Sequence, residues 1–241
     1  MDEKSWSNIP DDLFCVYFLA AITATDLCEN SYELAYKVNV EQSERFIDFL
    51  KSRSQKIILP STNMVFDGVL PYPSLKQEQN PMNKYGLLKA LLEKKVANND
   101  KVTIVRLTKL SDTLLPLLKS WAKRIACDET IYPFTDMYCS PLDLHEVVKI
   151  MFDISNLETS LTYHISGDRN VSYLEIAEKL LIKLSKSNDL ISSVTAKQRL
   201  GKDFFVHENS TLGMMDNPFC IAPKLGCDQA LDLTLNKLFR P

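Results

Sequence analysis

Runs of apolar residues alternate with segments of helix length along much of the chain, and this alternation constrains the fold more than any other feature. Three largely apolar runs, 14–21, 56–60 and 101–107, are predicted to be strands, and the short segment 162–166 is predicted as a fourth. Strands without polar alternation are typical of a parallel sheet that is buried on both faces. Predicted helices at 31–52 and 82–98 separate the first three strands. The pattern therefore predicts an α/β sheet with helices on both faces.

The remainder of the chain is predicted to form a smaller lobe. Helical patterns occur in four further segments, which are 114–126, 140–155, 172–184 and 228–239. The third of these begins with Ser172 and Glu175, which have the spacing of a capping box. A short strand is predicted at 130–134, and the segment 185–227 has no pattern that assigns its elements.

Composition excludes several classes of function. The 241 residues carry a net charge of -3, which gives no electrostatic reason to expect nucleic acid or an anionic membrane as partner. The longest apolar run, 13–22, is roughly half the length that a bilayer span needs. It also lacks the positive flank of a signal peptide. We therefore expect a soluble, cytoplasmic protein.

The cysteines and histidines do not predict a metal site. The six cysteines form no C-x-x-C pair, and the three histidines are dispersed at 145, 164 and 207. A zinc site usually gathers such residues at short spacing. Without an export signal we expect the cysteines to be buried thiols rather than disulfides.

Two motifs combine residues that are suited to proton transfer. STNMVFDG begins at Ser61, directly after the predicted strand at 56–60, and YGLLK runs from Tyr85 to Lys89 in the next predicted helix. Residues four apart on a helix share a face, and a cation beside a tyrosine favours the phenolate. Tyr85 would then exchange a proton nearer neutral pH. A hydroxyl from Thr62 at the strand end would hold a substrate carbonyl oxygen against it.

Taken alone, this pair of motifs is a weak signal. A tyrosine and a lysine four residues apart occur by chance in many helices, and the alternative is an exposed Lys89 with a half-buried Tyr85. The context favours chemistry, because the strand end and the helix both lie within the alternating α/β pattern. Acid–base catalysis on a carbonyl or an alcohol usually accompanies hydride transfer.

Four stretches resemble the extended short-chain dehydrogenase/reductase family, and most closely its dTDP-4-dehydrorhamnose reductase-like branch, which binds sugar nucleotides. They are FLAAITATDLCE (18–29), AYKVNV (35–40), STNMVFDG (61–68) and NPMNKYGLLKALLEK (80–94). Three later stretches resemble the family's later elements, and they are IVRLTKL (104–110), YPFTDMYCSPLDLHEVV (132–148) and YHISGDRNVSYLEIAEKL (163–180). The resemblance covers nearly the whole chain.

The resemblance implies a role for each matching position. Tyr85 would be the catalytic acid or base, and Lys89 would activate it and contact the nicotinamide ribose. Thr62 would orient the substrate carbonyl, with Asn63 nearby. The residues that would line the cofactor, NADP or NAD, at a strand end are Ala20, Ala21 and Thr23, together with Tyr85 and Lys89.

Some of these positions have structural alternatives. Ala20 and Ala21 would equally suit close packing of a strand against a helix. Asn39 is expected to be a structural hydrogen-bonding residue, and Asp67 with Gly68 is typical of a turn.

Two departures from the family pattern concern the substrate more than the chemistry. Asn63 stands where the rhamnose-pathway reductases usually have aspartate, and Lys109 stands near the place of a tryptophan that lies against the sugar.

The family's glycine-rich turn is missing from the sequence. That turn lets backbone N–H groups approach the pyrophosphate at a helix N-terminus. The six glycines stand at 68, 86, 167, 201, 213 and 226, and no two have G-x-G or G-x-x-G spacing. The strand at 14–21 then corresponds to the family's fourth, and we expect the first three to be absent. Three explanations stay open: a coding sequence read from a late methionine, a half supplied by another polypeptide, or a relative that no longer catalyses.

The expected architecture is therefore a Rossmann-type parallel sheet without its first strands, with a small C-terminal α/β substrate lobe. We expect the partial NAD(P)-binding portion at 1–167 and the lobe at 168–241, with 116–139 contributing to the lobe. The strand at 14–21 would become a free sheet edge that pairs with a second copy or a partner chain. Apolar surface at Val16 and Phe18 would be exposed beside it.

Two functions are consistent with these features. The first is an NAD(P)-dependent reductase or epimerase-like protein that acts on a nucleotide-linked 4-keto sugar, with activity impaired in this form. The alternative is a non-catalytic binding or regulatory subunit on the same scaffold, as in a regulatory subunit of methionine adenosyltransferase. The missing phosphate loop motivates the alternative.

Overall fold

The structure is a computed structural model that describes residues 3–201 and 206–239. Its strands are β1 (Val16–Tyr17), β2 (Ile57–Thr62), β3 (Val102–Leu107), β4 (Tyr138–Cys139), β5 (Thr162–Ile165) and β6 (Val171–Ser172). The central sheet has the order β1-β2-β3-β5, and every neighbouring pair is parallel. β4 and β6 form a separate antiparallel pair.

The helices fill the intervals between the strands. Their bounds are α1 (Thr25–Asn30), α2 (Tyr32–Tyr36), α3 (Ser43–Ser52), α4 (Lys84–Val96), α5 (Leu115–Ala126), α6 (Leu144–Ser155), α7 (Tyr173–Lys183), α8 (Ala196–Leu200) and α9 (Cys227–Lys237). A π-helical segment, Lys37–Gln42, joins α2 to α3. No helix in the described ranges is long and apolar enough to cross a membrane.

Alternate side chains of the central strands supply two different cores. Ile57 and Leu59 of β2 pack with residues of α3 and α4, including Ile47 and Leu92. Ile58, which points to the opposite face, packs in a second cluster with residues of α6 and β5. Both faces of the sheet are therefore buried under helices, which confirms the predicted α/β sheet.

A third core lies under the C-terminal helices. Leu118 and Trp121 of α5 pack with Leu180 of α7 and Leu231 of α9. Cys139 of β4 and Val171 of β6 belong to the same cluster. Segment 116–139 thus shares its core with helices beyond residue 168. The boundary between two domains at 167 and 168 stays a prediction.

The predicted strand at 14–21 is much shorter in the structure. Only Val16–Tyr17 pairs as strand, with the Val16 N–H donating to the Lys56 carbonyl at 2.8 Å and the Phe18 N–H to the Ile58 carbonyl at 2.9 Å. β1 has a partner on one side alone among the described strands, so few ladder hydrogen bonds are available to extend it. Its position at the edge of the sheet agrees with the prediction.

The expected exposure of Phe18 is wrong. Phe18 is buried, and its ring centroid lies 5.2 Å from that of Phe46 of α3, with the two rings tilted by 43°. A 3₁₀ helix at Glu3–Asn8 brings Trp6 onto Phe46 and Phe49 on the outer side of this cluster. The N-terminal segment therefore covers apolar surface that the sequence alone leaves without a neighbour.

Two other predicted elements differ from the structure. The single helix expected at 31–52 begins earlier, at Thr25, and is interrupted between α1 and α2 and again by the π-helical segment. The strand expected at 130–134 consists of isolated bridges from Ile131 and Phe134, because Pro133 between them has no N–H to donate. The other predicted helices and central strands are confirmed within a few residues.

The cysteines are free thiols, and their burial is only partly as expected. Cys28, Cys139 and Cys227 are buried, but Cys127 and Cys220 are exposed. The expectation of buried thiols is therefore wrong for the last two.

Candidate active site

Two adjoining cavities open at the carboxyl ends of β2 and β3. The smaller has a volume of about 280 Å³ and the larger about 550 Å³. Both are lined by Thr23, Thr62, Tyr85 and Thr108. Binding sites in parallel α/β sheets lie at this edge of the sheet.

The cavities bring together all of the residues predicted for the site. Ala20, Ala21 and Lys89 line the smaller cavity, together with the shared residues Thr23, Thr62 and Tyr85. Asn63 lines the larger cavity. Residues separated by more than sixty positions in the sequence therefore meet at one place, as the resemblance implies.

The end of β2 fixes the Thr62 hydroxyl. Thr62 caps a 3₁₀ turn at Asn63–Val65, and its Oγ1 accepts a hydrogen bond of 3.2 Å from the Met64 N–H. The neighbouring Asn63 is buried, and its Nδ2 donates to the carbonyl oxygen of Ser210 at 3.0 Å. The side chain of Asn63 thus links the end of β2 to segment 206–217 through this hydrogen bond.

The first turn of α4 sets Tyr85 against this strand end. Asn83 is the N-cap, and its Oδ1 accepts from the Gly86 N–H at 2.7 Å. A Cβ atom at Gly86 would lie only 2.1 Å from the carbonyl oxygen of Met64, so only glycine allows this close approach. The missing side chain at Gly86 therefore lets α4 lie directly on the turn that follows Thr62.

The electrostatics of Tyr85 differ from the expectation. Burial, with a smaller contribution from Cys28, raises the pKa of Tyr85 to about 12. The hydrogen bond between the side chains of Tyr85 and Thr62 lowers this pKa, but by less than burial raises it. The expected shift toward a phenolate near neutral pH is therefore wrong in this structure. Tyr85 is a protonated phenol at neutral pH and is suited to donate a proton.

Lys89 is buried, so the alternative of an exposed lysine is wrong, although Tyr85 is half-buried as that alternative expects. Its Nζ donates to the carbonyl oxygen of Pro60 in β2 at 2.5 Å. Burial lowers the pKa of Lys89 to about 8, and Glu93 opposes that shift. Glu93 itself is held by Arg106 at 2.8 Å and by Gln79 at 2.5 Å.

The loop that carries Ala20, Ala21 and Thr23 is held by Asn39. Its Oδ1 accepts from the Ile22 N–H at 2.7 Å, and its Nδ2 donates to the Ile22 carbonyl at 2.8 Å. Asn39 lies in the π-helical segment, a distortion that is frequent at functional sites. These two bonds match the structural role that the sequence favours for Asn39.

Several residues of the larger cavity were not predicted. They are Thr108, Tyr138, Cys139, Tyr173, His207 and Ser210. Thr108 directly follows β3, so the strand-end rule that indicated Thr62 would also have indicated it. His207 and Ser210 lie in the segment without a sequence pattern. No cluster of three or more potential metal ligands occurs among the described residues.

Comparison with known proteins supports the sequence resemblance. The profile of the RmlD substrate binding domain family matches residues 4–202. A probable low-salt glycan biosynthesis reductase, Agl14 of Haloferax volcanii, is 27% identical over 190 residues, which are 76% of this chain. The match covers 63% of that relative, so this chain spans less than two thirds of its length.

Solved structures share the fold at low sequence identity. A dTDP-4-dehydrorhamnose reductase from Bacillus anthracis in complex with NADP is 20% identical with a TM-score of 0.79, over 93% of this chain and 80% of that one. A UDP-glucose 4-epimerase from Thermotoga maritima with UDP-glucose is 16% identical with a TM-score of 0.78, over 98% of this chain and 81% of that one. These likenesses describe the architecture rather than the reaction.

Proposed function

The chain belongs to the RmlD substrate binding domain family, and from this membership we propose that it is a reductase that transfers hydride from NADPH or NADH to a nucleotide-linked 4-keto sugar. The observation that carries the proposal is the meeting of Thr62, Tyr85 and Lys89 at two joined cavities. The small cavity would take the nicotinamide end of the cofactor, and the larger one would take the sugar.

The residues of the small cavity fit the reacting end of a dinucleotide. Ala20 and Ala21 leave space at the loop after β1, and Lys89 offers an ammonium beside them. The buried hydroxyl of Ser61, which also lines this cavity, has no hydrogen-bond partner within the described residues. A ribose or carboxamide group would satisfy it, since a buried polar group without a partner is costly.

Lys89 and Ser61 would hold the cofactor, which supplies the hydride when bound. The Thr62 hydroxyl would orient the carbonyl oxygen of the substrate, and Tyr85 would donate its phenolic proton to that oxygen. The hydride would add to the carbonyl carbon and the Tyr85 proton to the oxygen, so the ketone would become an alcohol and Tyr85 would be left as a phenolate that solvent reprotonates. The raised pKa of Tyr85 supports this direction, because it keeps the proton on the phenol before reaction.

A spectrophotometric assay tests the proposal. Oxidation of NADPH and of NADH is followed at the nicotinamide absorbance with a dTDP-linked 4-keto hexose, with binding of each ligand measured by calorimetry. Turnover that requires both ligands is expected. The proposal would be overturned if the folded chain bound neither NADPH nor NADH, or if it bound no nucleotide sugar.

A non-catalytic binding or regulatory subunit is the second candidate. The sequence has no glycine pair at the spacing of a phosphate-binding turn, and this absence favours the second candidate. This candidate predicts that the chain binds a nucleotide sugar but does not turn it over. It also predicts that Tyr85→Phe leaves the affinity for the nucleotide sugar unchanged.

The edge of the sheet supports a proposal about assembly. The residues on either side of β1 in the sequence expose apolar side chains, with Phe14 66% and Leu19 67% exposed. An unpaired apolar edge recruits other strands. We propose that segment 14–21 pairs with a second copy or with a partner chain.

A further inference from the structure

The larger cavity carries a positive charge that has no partner in the part of the chain that the structure describes. Its charged or titratable wall residues include Asp26, Lys109 and His207. Burial lowers the pKa of His207, so this side chain is neutral at neutral pH. Asp26 is exposed in the first turn of α1. Lys109 is the only lysine or arginine among the wall residues described for this cavity.

Lys109 lines the same cavity as Thr62 and Tyr85. It lies two residues after Leu107, which is the register partner of Thr62 in the neighbouring strand. Its backbone is fixed, because the Lys109 carbonyl accepts from the Leu142 N–H at 2.8 Å. Burial raises the pKa of the Cys139 thiol on the same wall to about 12, and the charge of Lys109 opposes that shift. Lys109 therefore shares with Thr62 and Tyr85 the wall of the cavity that the proposed function assigns to the sugar.

Two carboxylates on segments beside Lys109 form other contacts, one three residues after it and one directly after Leu142. Asp112 accepts from the Lys237 ammonium at 2.5 Å. Asp143 caps α6 by accepting from the Glu146 N–H at 3.0 Å. Within the described residues Lys109 itself forms no ion pair. A ligand that brings its own anionic group would supply the missing partner.

We propose that Lys109 selects a nucleotide-linked sugar whose ring carries a carboxylate, which means a uronic acid rather than a neutral hexose. This inference rests on the proposed function and specifies its substrate class. The ammonium pairs with the sugar carboxylate beside Thr62 and Tyr85. A charge-assisted hydrogen bond of this kind in a partly enclosed cavity is expected to favour the acidic sugar by about 10- to 100-fold in affinity.

Calorimetry with matched ligands tests the proposal. The ligands are UDP-glucose, UDP-glucuronate and UDP, and the corresponding dTDP series. They are titrated into the wild-type chain, Lys109→Met, Lys109→Arg and the surface control Lys119→Met, which changes an exposed lysine of α5. Thermal melts establish that each variant is folded.

The expected result is a preference for the glucuronate over the glucose conjugate that Lys109→Met abolishes and Lys109→Arg largely retains. Lys119→Met is expected to keep the wild-type preference. Equal affinity of the wild-type chain for both sugars would overturn the inference and leave the proposed function standing. The inference would also be overturned if Lys109→Met lowered the affinity for UDP or dTDP alone by the same factor as the affinity for the glucuronate conjugate. The ammonium would then contact the diphosphate rather than the sugar. Binding of no nucleotide sugar in either series would overturn the proposed function and this inference with it.

Discussion

The ammonium of Lys89 in α4 donates a hydrogen bond of 2.5 Å to the carbonyl oxygen of Pro60 in β2. Pro60 stands two residues before Thr62, and Lys89 stands one turn after Tyr85. This one contact therefore ties the helix that carries the proposed acid to the strand that carries the proposed carbonyl-orienting hydroxyl.

Lys89 gives the folded state a distinctive pH dependence. Burial lowers its pKa to about 8, so the folded chain binds fewer protons there than the unfolded chain between pH 8 and the usual lysine value. The contribution of Lys89 to the unfolding free energy therefore rises as pH increases through this window, by on the order of 3 kcal/mol. Denaturant unfolding of wild type and Lys89→Met at pH 7 and pH 10 measures the difference. Parallel pH profiles for the two proteins would contradict the shift.

Tyr85→Phe removes the transferable proton and keeps the ring. Acid–base assistance of this kind is typically worth ~10²–10⁴-fold, so turnover should fall by that factor while cofactor affinity changes little. Tyr36→Phe, a half-buried tyrosine of α2, is the matched control. Steady-state kinetics with calorimetric cofactor binding separates the two effects. Full turnover in Tyr85→Phe would remove Tyr85 from the mechanism.

Gly86→Ala is expected to destabilise the chain and displace Tyr85. The new Cβ would lie 2.1 Å from the Met64 carbonyl oxygen, so α4 or the turn at Asn63–Val65 must move. Overpacking typically costs about 1–3 kcal/mol. Thermal unfolding reports the loss of stability, and kcat reports the displacement of Tyr85. A melting temperature equal to that of the wild type would contradict the close approach.

Asn39→Leu should loosen the loop that carries Ala20 and Ala21. The change leaves the Ile22 N–H and carbonyl without their buried partners, and each such loss typically costs about 1–3 kcal/mol. Asn39→Asp keeps the acceptor for the Ile22 N–H but loses the donor to the Ile22 carbonyl. Its stability and cofactor affinity should therefore lie between those of the wild type and of Asn39→Leu. Cofactor affinity and unfolding free energy are both measured. An Asn39→Leu chain with wild-type cofactor affinity would show that the loop is held by other contacts.

The free edge predicts concentration-dependent association. Phe14→Lys and Leu19→Lys place charges on the exposed flanks of β1 and should reduce self-association. Tyr17 is a poorer position for this test, because its hydroxyl donates to Ser155 Oγ at 2.9 Å and supports the fold. Sedimentation velocity at micromolar concentration measures the effect. A monomeric wild-type chain whose segment 14–21 is protected from hydrogen exchange would contradict a free edge.

The sequence predicted the parts of the fold that local patterns specify. β2 and β3 are continuous apolar runs, and α4 begins just after Asn83, a residue type with strong N-cap preference. The sequence alone therefore placed the motifs around Thr62 and Tyr85 at one edge of the sheet. Their separation along the chain gave no measure of how deeply Tyr85 would be buried, and burial decides the direction of its pKa shift.

Other features depend on tertiary contacts that have no local signature. The burial of Phe18 depends on α3 and on the N-terminal segment that brings Trp6 to the same cluster. His207 and Ser210 reach the larger cavity from a segment without periodicity, held in part by the bond from Asn63 to Ser210. Such positions follow from packing across distant parts of the chain.

Transfer of an isotopic label tests the central claim most directly. A dTDP-linked 4-keto hexose is incubated with the chain and with NADPH or NADH that carries deuterium at the transferable position, and the sugar product is analysed by mass spectrometry and NMR. The account predicts one deuterium on the former carbonyl carbon, with the rate of incorporation reduced ~10²–10⁴-fold in Tyr85→Phe. A sugar that stays unlabelled while calorimetry shows both ligands bound to the wild-type chain would contradict it.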